Sequence, residues 1–407
     1  MFYHLILQLY KIGIWVASWW QPKAKAWISG RKNWRANLQS TFKEAPKSVI
    51  WFHCASLGEF EQGRPLMEQI KQEQPEQKIV LTFFSPSGYE VRKNYQGADY
   101  IWYLPLDTQQ NAVDLVNLIQ PRMAIFVKYE FWYHFLQTLQ LQDITTYLIG
   151  GLFRQDQYFF KWYGKRYLSL LKGFSHIFVQ NDSSKRLLEK HGVSAVSIAG
   201  DPRIDRVVHI AQTVRRFPMV ESFKNKQPLL VLGSTHPKDI TIWSNFITKN
   251  KDWKILIVPH EVEDSAIQQL ENSLPVLTHR YTALDKNTSH LPHPILIMDT
   301  IGMLNQLYQY AGVVYIGGGF DEGIHNTLEP AVFGVPILIG PKYEKFEEAK
   351  RMLQTKGMRR IQKEADIQPI MNELQTATLR KELGAKNKEF ILTNRGGTKK
   401  IYDFLFG

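Results

Sequence analysis

Short unbroken apolar runs, each followed by a loop and a helix-like stretch, recur in both halves of these 407 residues, and this alternation constrains the fold more than any other feature. In the first half the runs are SVIWFHCA (48–55), KIVLTFF (78–84), MAIFVKY (123–129), TTYLIGG (145–151) and HIFVQ (176–180), separated by stretches such as EFEQGRPLMEQIKQ. In the second half they are PLLVLGS (228–234), WKILIVPH (253–260), HPILIMDT (293–300), GVVYIGGG (312–319) and VPILIGP (335–341). Strands without polar alternation are covered on both faces, so the pattern predicts an α/β fold with parallel, doubly wound sheets. A single core rarely serves more than about 250–300 residues, so the repetition predicts two Rossmann-like domains. The charged stretch at 200–227 reads as a linker with a helix in it and places the boundary near residue 212, giving domains 23–212 and 213–407. Doubly wound sheets bind ligands at the carboxyl ends of their strands, so a cleft between two such ends is the expected site.

The amino terminus differs in kind. Residues 2–20 are nearly all apolar or aromatic, with Lys11 as the only formal side-chain charge. A helix of that length crosses about 28 Å, just enough to span a bilayer. Trp15, Trp19 and Trp20 lie at an interface level, followed by Lys23, Lys25, Arg31, Lys32 and Arg35. That order predicts a membrane anchor over residues 1–22, spanning or interfacial, with the domains on the cytoplasmic side. The alternative is an amphipathic helix packed on the protein itself. No basic stretch precedes the apolar part and no small-residue cleavage site follows it, which argues against a removable signal peptide. The formal net charge of +12 and pI near 9.4 favour anionic partners without choosing among nucleic acid, an acidic leaflet and a phosphorylated substrate. Cys54 is the only cysteine, which excludes an intramolecular disulfide and a cysteine metal cluster, and its apolar run reads as buried strand.

The chemistry is expected where strands end. In YIGGGFDEGIHNTLEP (315–330) a strand runs into three glycines, and the loop after them feeds a predicted helix starting near His325 or Asn326. Such a start offers free N–H groups to a phosphate, and Glu329, one turn on, offers a carboxylate to ribose hydroxyls. The plainer reading is a helix cap in which Asn326 and Glu329 serve each other. In the first half Ser56, Gly58 and Glu59 follow the first strand, where Glu59 suits a general base, or else a first-turn carboxylate favouring the helix dipole. Ser87 and Gly88 lie in a turn after the second strand, and Lys128 and Glu130 follow the third, Glu130 as a second carboxylate. Ser234 and Thr235 in GSTH (233–236) stand at another strand-to-helix turn, as donor contacts or as caps. No HExxH or DxD spacing is present, so no metal site is expected.

These segments, with YLPLD (103–107), FVQNDSSKRLLEKHGV (178–193), GDPRID (200–205) and MDTIGMLNQLY (298–308), closely resemble the 3-deoxy-D-manno-octulosonic acid (Kdo) transferases of lipopolysaccharide core synthesis over nearly the whole chain. The resemblance implies a GT-B fold and inverting, metal-independent transfer of Kdo from CMP-Kdo to the lipid A precursor (lipid IVA), at the cytoplasmic face of the inner membrane. It implies no cofactor and no nucleic-acid partner. Glu59 matches the family's catalytic base and Glu130 a second functional carboxylate. Ile301, Gly302 and Met303 match the cytosine-holding loop, and Asn326 and Glu329 the phosphate and ribose contacts, with His325 beside them. Two departures stand out: His260 and Glu261 occupy the place of an Arg-His pair, and Ile324 that of a glycine. The family's phosphate-binding arginine is therefore missing, with His260 or a lysine such as Lys342 as its substitute. Competing readings are another GT-B enzyme using a UDP-sugar and a sugar-nucleotide epimerase.

Overall fold

A computed structural model of the protein describes residues 2–42, 48–274, 276–284, 291 and 293–407. It divides into two compact units, Met1–Asp205 with Gly396–Gly407, and Arg206–Arg395. The division falls seven residues before the expected 212, and the last segment belongs to the first unit, not the second. Asp205 carries that return: its carboxylate accepts from Gly396 N at 2.5 Å and Thr398 N at 2.7 Å. Ile401 of the helix Gly397–Phe406 is then buried with Phe60, Leu66 and Ile70 of the helix Leu57–Glu73.

The first unit is built on β1 (Val49–Cys54), β2 (Ile79–Phe83), β3 (Tyr100–Tyr103), β4 (Pro121–Val127), β5 (Thr145–Gly151), β6 (His176–Val179) and β7 (Val196–Ile198), in the order β3-β2-β1-β4-β5-β6-β7. The second is built on β8 (Leu229–Thr235), β9 (Lys254–Pro259), β10 (Thr278–Arg280), β11 (Ile295–Ile297), β12 (Val313–Ile316), β13 (Ile337–Ile339) and β14 (Met358–Arg360), in the order β10-β11-β9-β8-β12-β13-β14. All the described strand pairs are parallel. Chain direction across each sheet reverses between β1 and β4, and again between β8 and β12, which are the places where doubly wound sheets leave room for a ligand.

Every predicted apolar run is a strand, though the later runs are shorter than read. Residues 317–319 and 340 leave the ladder because Gly319 and Gly340 pass so close that a Cβ on either would stand 2.7 Å from the other's backbone. The four edge strands β3, β7, β10 and β14 were not foreseen. They are three or four residues long and only partly buried, and β7, β10 and β14 lack the continuous apolar run of a central strand, whereas β3, YIWY, has one of only four residues.

At the amino terminus, α1 (Phe2–Ala17), α2 (Pro22–Ser29) and α3 (Trp34–Thr41) precede the first sheet. At 1.5 Å per residue α1 is about 24 Å long, and among the described residues no helix is long and apolar enough to cross a membrane. The helix ends at Ala17, with residues 18–20 in a turn, so the expected spanning length is not reached. One face of α1 docks on its own unit. Leu7 is buried with Trp27 and Leu106, Tyr3 and Ile14 pack against them, and the Tyr3 hydroxyl donates to Asp107 Oδ2 at 2.6 Å. The other face carries Leu5, Leu9, Ile12 and Val16 at helical spacing, all exposed, with Trp15, Trp19 and Trp20 beyond them.

Candidate functional site

In the first unit the helix Leu57–Glu73 starts on a cap that also arranges the candidate base. Ser56 Oγ accepts from Gly58 N at 3.2 Å and its hydroxyl hydrogen goes to Glu59 Oε2 in a short contact. The carboxylate therefore takes the Ser56 hydroxyl, where a capping box would give it the Ser56 backbone N–H. Among the described residues Glu59 Oε1 receives no hydrogen bond. The loop after β2 is drawn against it: Ser85 N donates to Ala55 O at 2.7 Å, and a Cβ on Gly88 would lie 3.1 Å from the Ser56 carbonyl carbon. Ser56, Gly58, Glu59, Ser87 and Gly88 thus belong to two adjoining strand-end loops.

Glu130 lies on the other side of the switch point, at the end of β4. Lys128 turns the chain there with φ +67°, the left-handed region that non-glycine residues enter at a cost of about 1–2 kcal/mol. Glu130 Oε2 accepts from Trp132 Nε1 at 2.6 Å and stands 3.1 Å from His53 Nε2. His53 is fully buried in β1, and its Nδ1 meets Thr82 Oγ1 at 2.9 Å. A chain Glu130–His53–Thr82 therefore crosses three adjacent strands beneath the loops. Burial pushes the Cys54 thiol well above its usual range, with Glu59 and Glu130 adding to the shift, so Cys54 is an inert strand residue as the sequence indicated. Tyr129 is likewise raised, chiefly by burial, and Arg154 opposes the shift.

In the second unit Asp239 organises the strand ends. It is buried, and its carboxylate accepts from Tyr315 Oη at 2.5 Å, Gly318 N at 2.8 Å and His236 N at 2.8 Å. One side chain from the helix Pro237–Lys249 so fixes the end of β8, the end of β12 and the glycine loop. Ser234, at φ +52°, makes a bulge near the end of β8, after which Thr235 still pairs with Pro259, and a Cβ on Gly317 would clash with the Ser234 carbonyl. Neither Ser234 nor Thr235 caps the helix; its cap is His236, and the buried Thr235 Oγ1 has no hydrogen-bond partner among the described residues.

The predicted helix at His325 does not start there. His325 and Asn326 lie in an extended loop, and only Leu328–Ala331 is helical, so the free N–H groups of a long helix are not on offer. Pro330 clashes with the carbonyl four residues back and so keeps Asn326 out of the helix, and Gly334, at φ +70°, closes the turn that follows it. Asn326 Oδ1 accepts from Leu328 N at 3.0 Å while its amide donates to Glu329 Oε1 at 3.1 Å, but the cap residue is Thr327, without a side-chain cap bond, so the expected reciprocal cap of Asn326 and Glu329 is not formed. Glu329 also acts on the buried Tyr308, whose hydroxyl is raised well above its usual range by burial first and by this carboxylate second. A Cβ on Gly233 would meet Tyr308 Oη at 2.6 Å and the Leu304 side chain at 3.2 Å, so the segment after Ile301–Met303 adjoins the end of β8. Ile301 itself is exposed, and Gly302 takes φ +87° in an open bend. That leaves the backbone of residues 301–303 available to a flat ligand.

Three histidines meet at these strand ends. His236 follows β8, His260 follows β9 and His325 follows β12, and one ring nitrogen from each lies within 4.8 Å of the others. His236 Nε2 and His325 Nε2 are 3.0 Å apart. Burial, and then the neighbouring His260 and His236, push His325 down to about 4, so it is neutral at neutral pH. Local spacing gave no sign of this cluster, because its three residues are supplied by three adjacent strands. His53, Thr82 and Asp239 also escaped the sequence reading, for the same reason.

The sequence profile described as "3-Deoxy-D-manno-octulosonic-acid transferase (kdotransferase)" matches residues 32–206. The 3-deoxy-D-manno-octulosonic acid transferase of Chlamydophila psittaci is 29% identical over 349 residues, covering 82% of this chain and 79% of its own. Among solved structures, UDP-GlcNAc 2-epimerase from Neisseria meningitidis bound to UDP-GlcNAc aligns with a TM-score of 0.60 at 13% identity, covering 88% of this chain and 99% of its own. MurG from Acinetobacter baumannii aligns with a TM-score of 0.56 at 11% identity, over 88% and 99%. At such identities the structural likeness shows the fold alone, two parallel α/β units of the GT-B type, and the sequence likeness makes the chain a glycosyltransferase on that fold. Over most of its length the chain is similar to the Kdo transferases.

Proposed function

We propose that the chain transfers Kdo from CMP-Kdo to a hydroxyl of the lipid A precursor, lipid IVA, in lipopolysaccharide core synthesis, with inversion at the anomeric carbon. Glu59 Oε1 takes the acceptor's hydroxyl proton as that oxygen bonds to the anomeric carbon. The bond from that carbon to the phosphate oxygen breaks, and CMP leaves with its electron pair. The observation that carries this reading is the Glu59 carboxylate itself, at the switch point of the first sheet, oriented through one oxygen by Ser56 with the other left for a substrate proton. Glu130, fixed by Trp132 and His53, is the second carboxylate, and Ser56, Gly58, Ser87, Gly88 and Lys128 form the acceptor side. Ser234, Thr235, His260, His325, Asn326 and Glu329 serve the sugar phosphate and ribose, and the open bend at Ile301, Gly302 and Met303 serves the cytosine.

The same reading places the chain on the cytoplasmic leaflet of the inner membrane. As no helix among the described residues is long and apolar enough to cross, the attachment in this reading is interfacial. The exposed stripe Leu5, Leu9, Ile12 and Val16 enters the acyl boundary, and the tryptophans lie at the headgroups. Beside it runs a groove of about 890 Å³ lined by Lys11, Trp15, Arg31, Lys32 and Arg35, which suits anionic headgroups and the phosphates of the acceptor. Incubation of the purified chain with CMP-Kdo and tetra-acylated lipid A precursor, followed by mass spectrometry of the lipid, tests the reaction. A lipid gaining the mass of Kdo is the expected result, and an unchanged lipid beside an active control enzyme refutes it.

A further inference from the structure

The turns after β5 present an aromatic pair to solvent that the transfer reaction, as described, does not use. Trp162 is 85% exposed, the most of any large apolar side chain among the described residues, and Tyr163 beside it is 62% exposed. Their rings meet edge to face with centres 5.5 Å apart. Lys161 N donates to Tyr158 O at 3.1 Å and Gly164 N to Lys161 O at 2.9 Å, closing two successive 3₁₀ turns. A Cβ on Gly164 would collide with the Tyr158 carbonyl oxygen, so the turns close because residue 164 is glycine. Phe159 packs into the core against Phe131 and Phe153, which leaves Trp162 and Tyr163 on the outer side. The charges around the pair have one sign. Residues 157–181 contain Lys161, Lys165, Arg166 and Lys172 and no aspartate or glutamate, and residues 1–43 contain seven lysines and arginines and again no acid. Asp156, just before the turns, is paired with Arg154 at 3.7 Å. The two stretches adjoin: Tyr163 and Arg166 line the same cavity of about 960 Å³ as His4 and Ile6 of α1, and Tyr167 meets Tyr3 with ring centres 6.5 Å apart.

We propose that Trp162, Tyr163 and the basic residues beside them form a second contact with the anionic headgroups of a phospholipid leaflet, which together with α1 seats the first unit on the bilayer at two points. Tryptophan and tyrosine rings favour the headgroup level, where the apolar body and the N–H or O–H are both satisfied. Lys161, Lys165 and Arg166 gain from the negative surface potential of such a leaflet, and the lack of acids in the stretch leaves that attraction unopposed. The inference rests on the interfacial reading of α1 and adds to it. A helix lying alone in the interface lets the unit roll about the helix axis, and a second contact away from that axis stops the roll. Once α1 is bound the second contact is made within one complex, so even a weak one raises the overall affinity. The contact also bears on the reaction. The turns follow β5, the neighbour of β4, and the Tyr158 hydroxyl at their foot is raised by burial first, with Tyr167 and Glu130 adding to the shift. Holding the turns at the headgroups therefore holds the Glu130 strand end close to the surface from which a lipid acceptor arrives.

Cys54 is the only cysteine and is buried, so a cysteine introduced at the surface takes a polarity-sensitive fluorophore selectively. The test uses the full chain carrying Tyr163→Cys or, separately, Leu9→Cys, each labelled and mixed with vesicles of phosphatidylethanolamine and phosphatidylglycerol. Both probes should brighten and shift to the blue, and vesicles of phosphatidylcholine alone should bind at least about 5-fold more weakly. In the unlabelled chain, Lys161→Gln combined with Lys165→Gln should lower the affinity for the anionic vesicles at least about 10-fold, at an unchanged melting temperature. A silent probe at 163 beside a responding probe at 9 overturns the second contact, leaves the α1 reading standing and points the aromatic pair at a protein partner instead. Silence at both positions overturns both. An affinity that ignores the charge of the lipid, or is unchanged by removal of the two lysines, overturns anionic headgroups as the partner. Because the vesicles contain neither donor nor acceptor, the result is independent of Kdo transfer.

Discussion

The two sheets have related strand orders and a switch point each, yet their strand ends carry opposite chemistry. Around β1 and β4 stand two carboxylates, each steered by a neutral donor, Ser56 for Glu59 and Trp132 for Glu130. Around β8, β9 and β12 stand imidazoles, with a buried carboxylate, Asp239, turned away to hold backbone N–H groups. In the proposed function the first of these receives a proton and the second serves a phosphate. The comparison teaches that the fold supplies positions, while the residue types one or two places beyond each strand decide what those positions do.

The sharpest way to break this division is Glu59→Gln. Loss of a general base lowers the rate by about 10² to 10⁴, and because the change lies wholly in the first unit, CMP affinity and melting temperature should stay at wild-type values. Near-normal turnover in the lipid assay, or a lost CMP affinity, would end the assignment of separate roles. Next in size is Asp239→Asn, which replaces an acceptor of three hydrogen bonds by a group with one oxygen and sets an NH₂ against donors. About 3 kcal/mol of stability should be lost from the second unit, read as a lowered urea midpoint, with Glu59 chemistry affected only through donor binding. Tyr3→Phe removes the hydroxyl that Asp107 accepts, costing about 1.5–2 kcal/mol for a bond to a charged acceptor. Hydrogen exchange should then quicken in α1 and leave the second sheet unchanged.

The smallest effect is a pH dependence confined to the second unit. His325 is pushed down to about 4, mainly by burial, so between the usual histidine value and that point the unfolded chain binds a proton that the folded one refuses. Stability should therefore fall as pH drops from about 6.5 towards 4, by about 1–2 kcal/mol after allowance for partial solvation. His325→Gln should flatten that limb of the melting-temperature profile, and an unchanged profile would remove His325 as its source.

The central strands were legible because burial on both faces forces continuous apolar runs, as in β1 and β4. The edges were not, since Thr278–Arg280 and Met358–Arg360 are short, polar in part and only partly buried. Glu59 and Glu130 were found because each follows its strand within a few residues. The imidazole triad was hidden because its proximity is created by strand order, which no single segment encodes. The helix at Leu328 was overextended because Asn326 and Glu329 have the spacing of a cap, while Pro330 keeps the helix from starting at Asn326 and the cap falls at Thr327. The end of α1 at Ala17 was equally invisible, because the apolar composition continues to Trp20 while the helix does not.

The return of residues 396–407 to the first unit has a consequence for biosynthesis. Ile401 fills a core whose other members, from Ile50 to Ala199, are made at least 202 positions earlier, and Asp205 waits for partners at Gly396 and Thr398. On the ribosome the first unit must persist with that pocket unfilled while all of the second is synthesised. Its late closure makes the nascent chain most vulnerable to proteases and chaperone capture at the very stage when the second unit is already able to fold.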